Sequence, residues 1–193
     1  MFNWINFLTY AFITSVTPGP NNIMAMNNAG HLGLKKALPF NFGILVGFTI
    51  VLIICTLLTN FLHTAMPVIK TPILIIGAVY MLHLAWKTLK SHPALEGAYA
   101  KKGFISGLLL QFVNPKIFIF CIVSMESYIL PYYQNNNMQL SWFVLLLALL
   151  GFVCTLCWSI FGSLFKLLFS KYAKITNTIM AILLCYCAIS LFF

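Results

Sequence analysis

Apolar residues run through this chain in six stretches, and polar residues are largely confined to the gaps between them. The stretches cover Phe2–Ala29, Phe40–Leu62, Val68–Leu89, Phe104–Leu130, Leu140–Phe165 and Ile175–Phe193. Each is close to the roughly 20 residues a helix needs to cross hydrocarbon. The third is a little short between Lys70 and Lys87, and those two lysines can snorkel to the interfaces. The gaps Gly30–Pro39, His63–Pro67, Lys90–Gly103, Pro131–Gln139 and Lys166–Lys174 are short connections. The pattern predicts an all-α integral membrane protein with six transmembrane helices, a single membrane domain over residues 1–193. The first stretch has no positive leading segment, and Thr17-Pro18-Gly19-Pro20 does not resemble a signal-peptidase site, so it reads as a retained helix.

Two stretches are interrupted, and the interruptions match. The first contains Thr17-Pro18-Gly19-Pro20-Asn21-Asn22, and the fourth contains Gln111-Phe112-Val113-Asn114-Pro115-Lys116. Proline removes a hydrogen-bond donor and frees a carbonyl, so each motif should end its helix locally. In hydrocarbon a freed backbone group survives only against protein or a water-filled cavity. Each break falls in the lead helix of a three-helix half, about 1–95 and about 100–193. Halves with an odd number of spans insert in opposite senses, which makes them inverted repeats. Matched broken helices in inverted repeats point to a substrate site at the membrane midplane. Thr17, Pro18, Gly19, Pro20, Asn21, Asn22, Gln111, Asn114, Pro115 and Lys116 are therefore the expected pathway residues. Lys116 is ionisable within a span and needs a partner or water. It could bind a substrate carboxylate or fix the freed carbonyls, and the first role is the preferred expectation. The half-helix N-termini after Pro20 and Pro115 suit a carboxylate, and freed carbonyls with Asn21, Asn22 and Asn114 suit an ammonium.

Composition sharpens this picture. Hydrophobic residues make up 62% of the chain and charged ones 7%, and the mean hydropathy is +0.98. A soluble domain carries about 25% charged residues, so a water-soluble globule is excluded. The net charge of +9 comes from lysines clustered in the gaps, which reads as a topology signal and not as a nucleic-acid face. Lys35, Lys36, Lys87, Lys90, Lys101, Lys102, Lys166, Lys171 and Lys174 all fall in or beside odd-numbered gaps, against Lys70 on the other side. The positive-inside rule places those gaps in the cytoplasm and both termini outside. Trp4, Tyr128, Tyr132, Tyr133 and Trp142 would form the outer aromatic belt, with Trp86 at the inner one. With no room for a soluble motor, transport would have to run on gradients.

The six cysteines lie in apolar stretches and read as small hydrophobes. Cys154 and Cys157 share a helix face, so a membrane thiol–disulfide relay is the alternative reading. Against it, the first helix has no cysteine and the fourth only Cys121. The histidines are scattered and the acids are Glu96 and Glu126 alone, which leaves no carboxylate dyad or Ser-His-Asp set. Glu126 reads as an interfacial residue ahead of a proton-coupling one. No enzymatic activity, cofactor or metal is expected.

Thr-Pro-Gly-Pro-Asn at 17–21 and Asn-Pro-Lys at 114–116 resemble the signatures of the LysE/RhtB family of bacterial amino-acid exporters. The similarity extends to Leu32-Gly33, the Gly43…Gly47 spacing, Gly77-Ala78-Val79-Tyr80, Leu84-Ala85-Trp86-Lys87 and Leu110-Gln111-Phe112-Val113. Ala11–Ser15, Leu130-Pro131, Val153–Trp158 and Leu183–Ala188 are most similar to members that export cysteine and O-acetylserine. The resemblance implies export of small amino acids from cytoplasm to outside, with homoserine, threonine or lysine as other candidate substrates. It implies a bacterial inner-membrane location and coupling to proton entry into the cell. The expected partners are the amino-acid substrate, protons and the lipid bilayer; homodimerisation is left open, and no nucleic acid is expected.

Overall fold

The structure is a computed structural model. It describes the backbone of residues 2–90, 96–134 and 136–190, and their side chains except at 59–70, 73, 96–102, 168 and 170. The described chain is helical throughout. It comprises α1 (Trp4–Val16), α2 (Pro20–Leu32), α3 (Leu34–Leu57), α4 (Thr59–Leu89), α5 (Glu96–Val113), α6 (Pro115–Val123), a π-helical segment (Ser124–Ile129), α7 (Leu130–Tyr133), α8 (Asn137–Leu164), α9 (Lys166–Lys171) and α10 (Ala173–Ile189). Two helices, α3 and α8, are by themselves long and apolar enough to cross a membrane. A third span results if Gly103–Val113 and Pro115–Tyr133, bent by 62° at Asn114, are counted as one.

Both interruptions break their helices where expected, α1 from α2 at Thr17–Gly19 and α5 from α6 at Asn114. The connections are shorter than the sequence suggested. The expected gap Gly30–Pro39 shrinks to Gly33, which ends α2 and starts α3 with φ of 83°. A positive φ suits glycine, which has no Cβ to clash there. Pro39 then lies inside α3, near its start, and the expected gap His63–Pro67 is part of the helical course of α4. Most of Lys166–Lys174 forms α9, and Leu130–Tyr133 continues the helical course past the expected end of the fourth stretch. The environments of Lys70, His63, Glu96, Lys101, Lys102 and His92 lie outside the described residues.

The core is divided in two. One apolar cluster joins Ile23, Met26, Phe40, Ile44, Leu110, Phe169 and Leu184, drawn from α2, α3, α5, α9 and α10. The other joins Phe7, Ala11, Phe48, Leu52, Phe120, Met125 and Leu147, from α1, α3, α6, the π segment and α8. The molecule therefore has an α2–α5 end and an α1–α6 end. The first half of each broken helix belongs to a different end from its second half, so both breaks fall between the cores.

Glycines set the closest approaches. A Cβ on Gly43 or Gly47 of α3 would strike the backbone of Phe104 or Leu108 in α5, and one on Gly107 would strike Phe40. Gly162 of α8 lies equally close to the backbone of Met26 in α2. Such small-residue crossings are how helices pack when lipid provides no hydrophobic drive between them.

Candidate functional site

Helix α1 ends without a continuing turn, which leaves its last four carbonyls to be satisfied elsewhere. All four are. The Thr17 N–H donates to Ile13 O at 3.0 Å, and its hydroxyl donates to Thr14 O at 2.9 Å. Asn22 Nδ2 donates to Ser15 O at 2.8 Å, and Trp158 Nε1 donates to Val16 O at 3.0 Å. The next carbonyl, Thr17 O, accepts from Asn22 Nδ2 at 2.9 Å.

Lys116 arrives from the other break. Its Nζ donates to Thr17 Oγ1 at 2.9 Å, to Thr17 O at 3.1 Å and to Pro18 O at 3.5 Å. It lies across Gly19, where an added Cβ would sit 3.1 Å from the lysine's Cδ and Nζ. An ammonium has three protons, and these acceptors take them all. In this conformation Lys116 therefore fixes the carbonyls freed at the first break, the second of the two roles open to it from sequence. A carboxylate would have to compete with Thr17 and Pro18 for it.

Other expected pathway residues also meet. Asn21 and Gln111 exchange hydrogen bonds, Nδ2 to Oε1 at 2.8 Å and Nε2 to Oδ1 at 3.0 Å. Asn114 Nδ2 donates to the same Asn21 Oδ1 at 3.2 Å, while Asn114 Oδ1 caps α6 by accepting from the Lys116 N–H. Gln111 and Asn114 are buried and lie in the polar layer between the two cores. Pro20 and Pro115 are the first residues of α2 and α6, where a missing N–H costs nothing. Pro115 also packs its ring against Gly77 of α4. Residues of the two breaks, about 90 or more positions apart in sequence, thus form one polar layer.

Cavities adjoin this layer. One of about 40 Å³ is lined by Ser15, Asn21, Asn22, Asn114, Lys116 and Thr155 among others. A larger one of about 310 Å³ lies toward the α1–α6 end, bounded by Tyr10, Thr14, Thr17, Lys116, Phe120 and Ser190. Lys116 borders both.

The chain matches the family model described as a LysE type translocator over residues 12–193. It belongs to the LysE-type translocator family. It is 40% identical over 184 residues to the cysteine/O-acetylserine efflux protein of Klebsiella pneumoniae subsp. pneumoniae, covering 95% of this chain and 93% of the relative. Proteins of the same name from Salmonella typhimurium and Escherichia coli (strain K12) are 38% and 36% identical over 191 residues, covering 97% of this chain and 96% of each relative. No solved structure matches the chain.

Several residues of this LysE-type translocator's polar layer were missed in the sequence. Thr155 Oγ1 donates to Asn22 Oδ1 at 3.3 Å. Ser159 Oγ bonds with both side-chain ends of buried Asn41 and reaches Ala25 O at 3.3 Å. With Gly162 these make one stripe of α8, at i, i+4 and i+7, of residues unusually small or polar for an apolar helix, and Trp158 lies beside it. That periodicity was the available signal.

The thiols are differently arranged from the expectation. Cys55 of α3 and Cys121 of α6 hydrogen-bond to each other, so two neighbouring helices do bring cysteines together. Both are buried within the α1–α6 core. Cys154 is buried while Cys157 is exposed. The relay reading gains nothing from either pair. Glu126 lies in the π-helical segment, partly buried, and its Oε1 has no partner among the described residues.

Proposed function

We propose that this chain exports small amino acids across the bacterial inner membrane, with cysteine and O-acetylserine the foremost substrates. The observation that carries this reading is the meeting of two polar proline breaks, from opposite halves of the chain, between two apolar cores. Six spans accommodate the helices: α1 with α2, α3, α4, α5 through α7, α8, and α10. They form two inverted halves, about 1–95 and about 100–193, with both termini on the outer face. The lysine distribution supports that orientation.

A zwitterion reaching the polar layer finds the N-terminus of α2, the Lys116 ammonium and the Asn21–Gln111–Asn114 amides. The substrate carboxylate takes Lys116 from Thr17 and Pro18, and the released carbonyls can accept from the substrate ammonium. Exchange of one set of hydrogen bonds for another keeps every buried polar group paired, which a dry site requires. Because Lys116 ties α6 to the α1–α2 break, occupying it with substrate loosens one half from the other. Proton entry into the cell supplies the driving force.

Efflux of labelled amino acids from cells with and without the protein tests this. A panel of O-acetylserine, cysteine, homoserine, threonine and lysine should give accelerated efflux of the first two. Acceleration of lysine alone would reassign the substrate, and no acceleration of any member would remove the proposed function.

A further inference from the structure

We infer that the α2–α5 end carries a second binding site, a loading site that takes a zwitterionic amino acid before it reaches the polar layer. The inference rests on the export function proposed above. A cavity of about 80 Å³ opens at this end between α2, α3, α4 and α5. By the volume a water needs, it has room for on the order of five water-sized groups, enough for the ammonium, α-carbon and carboxylate that small amino acids share. Its polar lining includes Asn27, Asn28, Lys36, Lys87, Thr88 and Ser106.

The chemistry is graded along the cavity. Lys36 and Lys87 are exposed and bring two positive charges from different helices to one opening. They suit a carboxylate, and a cationic mouth with low-dielectric walls raises the local concentration of one. Deeper, Asn27 is buried and its Oδ1 has no hydrogen-bond partner among the described residues. An unpaired buried acceptor is costly, so it marks a position whose partner arrives in another state. A substrate ammonium is such a partner, with the Thr88 and Ser106 hydroxyls beside it.

This site is distinct from the polar layer. Met24 and Leu110 also line the cavity, one turn from Asn21 and adjacent to Gln111. The Asn21–Gln111–Asn114 amide group therefore stands between the cavity and Lys116. A substrate bound at Lys36, Lys87 and Asn27 has to open that group to move on. The lysine distribution puts this end on the cytoplasmic side, where an exporter collects its load.

Inside-out membrane vesicles holding the full chain present this end to the medium. Initial uptake rates for each amino acid of the efflux panel, with cysteine kept reduced, give KM and Vmax. The Lys36→Gln/Lys87→Gln double variant and, separately, Asn27→Ala should raise KM about tenfold or more, with Vmax falling by less than KM rises. A Lys35→Gln/Lys90→Gln variant, with the same charge removed from the same side but outside the cavity, should keep KM within about twofold of wild type. An unchanged KM in both cavity variants, or a loss confined to Vmax or to the amount of folded protein, overturns the loading site while wild-type transport leaves the export function standing. An equal KM rise in the control reduces the effect to general surface charge and also overturns it. No uptake of any panel member by wild type overturns both readings together.

Discussion

Lys116 fastens the second break to the first, and its three acceptors all belong to the first break. Trp158 fastens the same break without lying in the expected substrate position, through its bond to Val16 O. The two residues therefore separate a purely structural role from a substrate-binding one. Trp158→Phe leaves Val16 O unpaired and should cost about 1–3 kcal/mol. Lys116→Ala should cost a similar amount, because Pro18 O loses its donor while Thr17 O keeps Asn22. The difference appears on adding substrate. Thermal unfolding of Trp158→Phe should still shift upward with cysteine or O-acetylserine, whereas Lys116→Ala should lose the shift, since only ligand bound to the folded form stabilises it. Equal retention of the shift would leave Lys116 as a fastener alone. Composition and motif were enough to single out Lys116, but not its partners. Its acceptors are one hydroxyl and two backbone carbonyls, 98 and 99 residues away, and nothing in a linear pattern says which of them a lysine reaches.

The approach of α3 to α5 depends on glycines with unequal roles. Gly103 and Gly107 lie one turn apart on α5, facing the same helix. A Cβ on Gly103 would meet its nearest neighbours at 3.5 Å or more, ordinary contact, while one on Gly107 would run into the carbonyl of Phe40. Gly107→Ala should therefore destabilise by about 1–3 kcal/mol as the helices are forced apart. Gly103→Ala should be neutral or stabilising by up to about 1 kcal/mol through helix propensity. Thermal midpoints of the two purified variants check the contrast, and equal effects would contradict the close crossing. At this scale the sequence was a good guide to where helices break, because proline next to asparagine in an apolar run has few other meanings. It was a poor guide to connections. Gly33 turns the chain in one residue, and the helical courses of α4 and α9 take up polar stretches that look like loops. The polar stripe Thr155, Ser159 and Gly162 was visible as a period in α8, but only the packing of α2 against it gives the stripe a purpose.

The whole molecule is closed at one end and looser at the other. Helix α3 packs along α5, and α8 along α2, more closely than α3 packs along α6 or α8 along α1. The cavities follow the same asymmetry, about 310 Å³ toward the α1–α6 end against about 80 Å³ at the α2–α5 end. In the two inverted halves proposed above these contacts are counterparts, so exchanging tight for loose would turn the molecule from one access state into the other. Such alternation needs no soluble motor, only a bias between two packings of similar stability. With the orientation proposed from the lysines, the described state is open toward the outside. In a background with all six native cysteines replaced, Ser190→Cys borders the larger cavity and Ser106→Cys the smaller. A membrane-impermeant maleimide added to intact cells should label Ser190→Cys readily and should label Ser106→Cys only after permeabilisation. The opposite pattern would invert the orientation. Substrate supplied inside the cell should slow the labelling of Ser190→Cys, because loading from the α2–α5 end requires the tight crossing to open and the α1–α6 end to close. Export by the cysteine-free protein, measured in the same cells, would at once show that the buried Cys55–Cys121 pair contributes packing and no redox step.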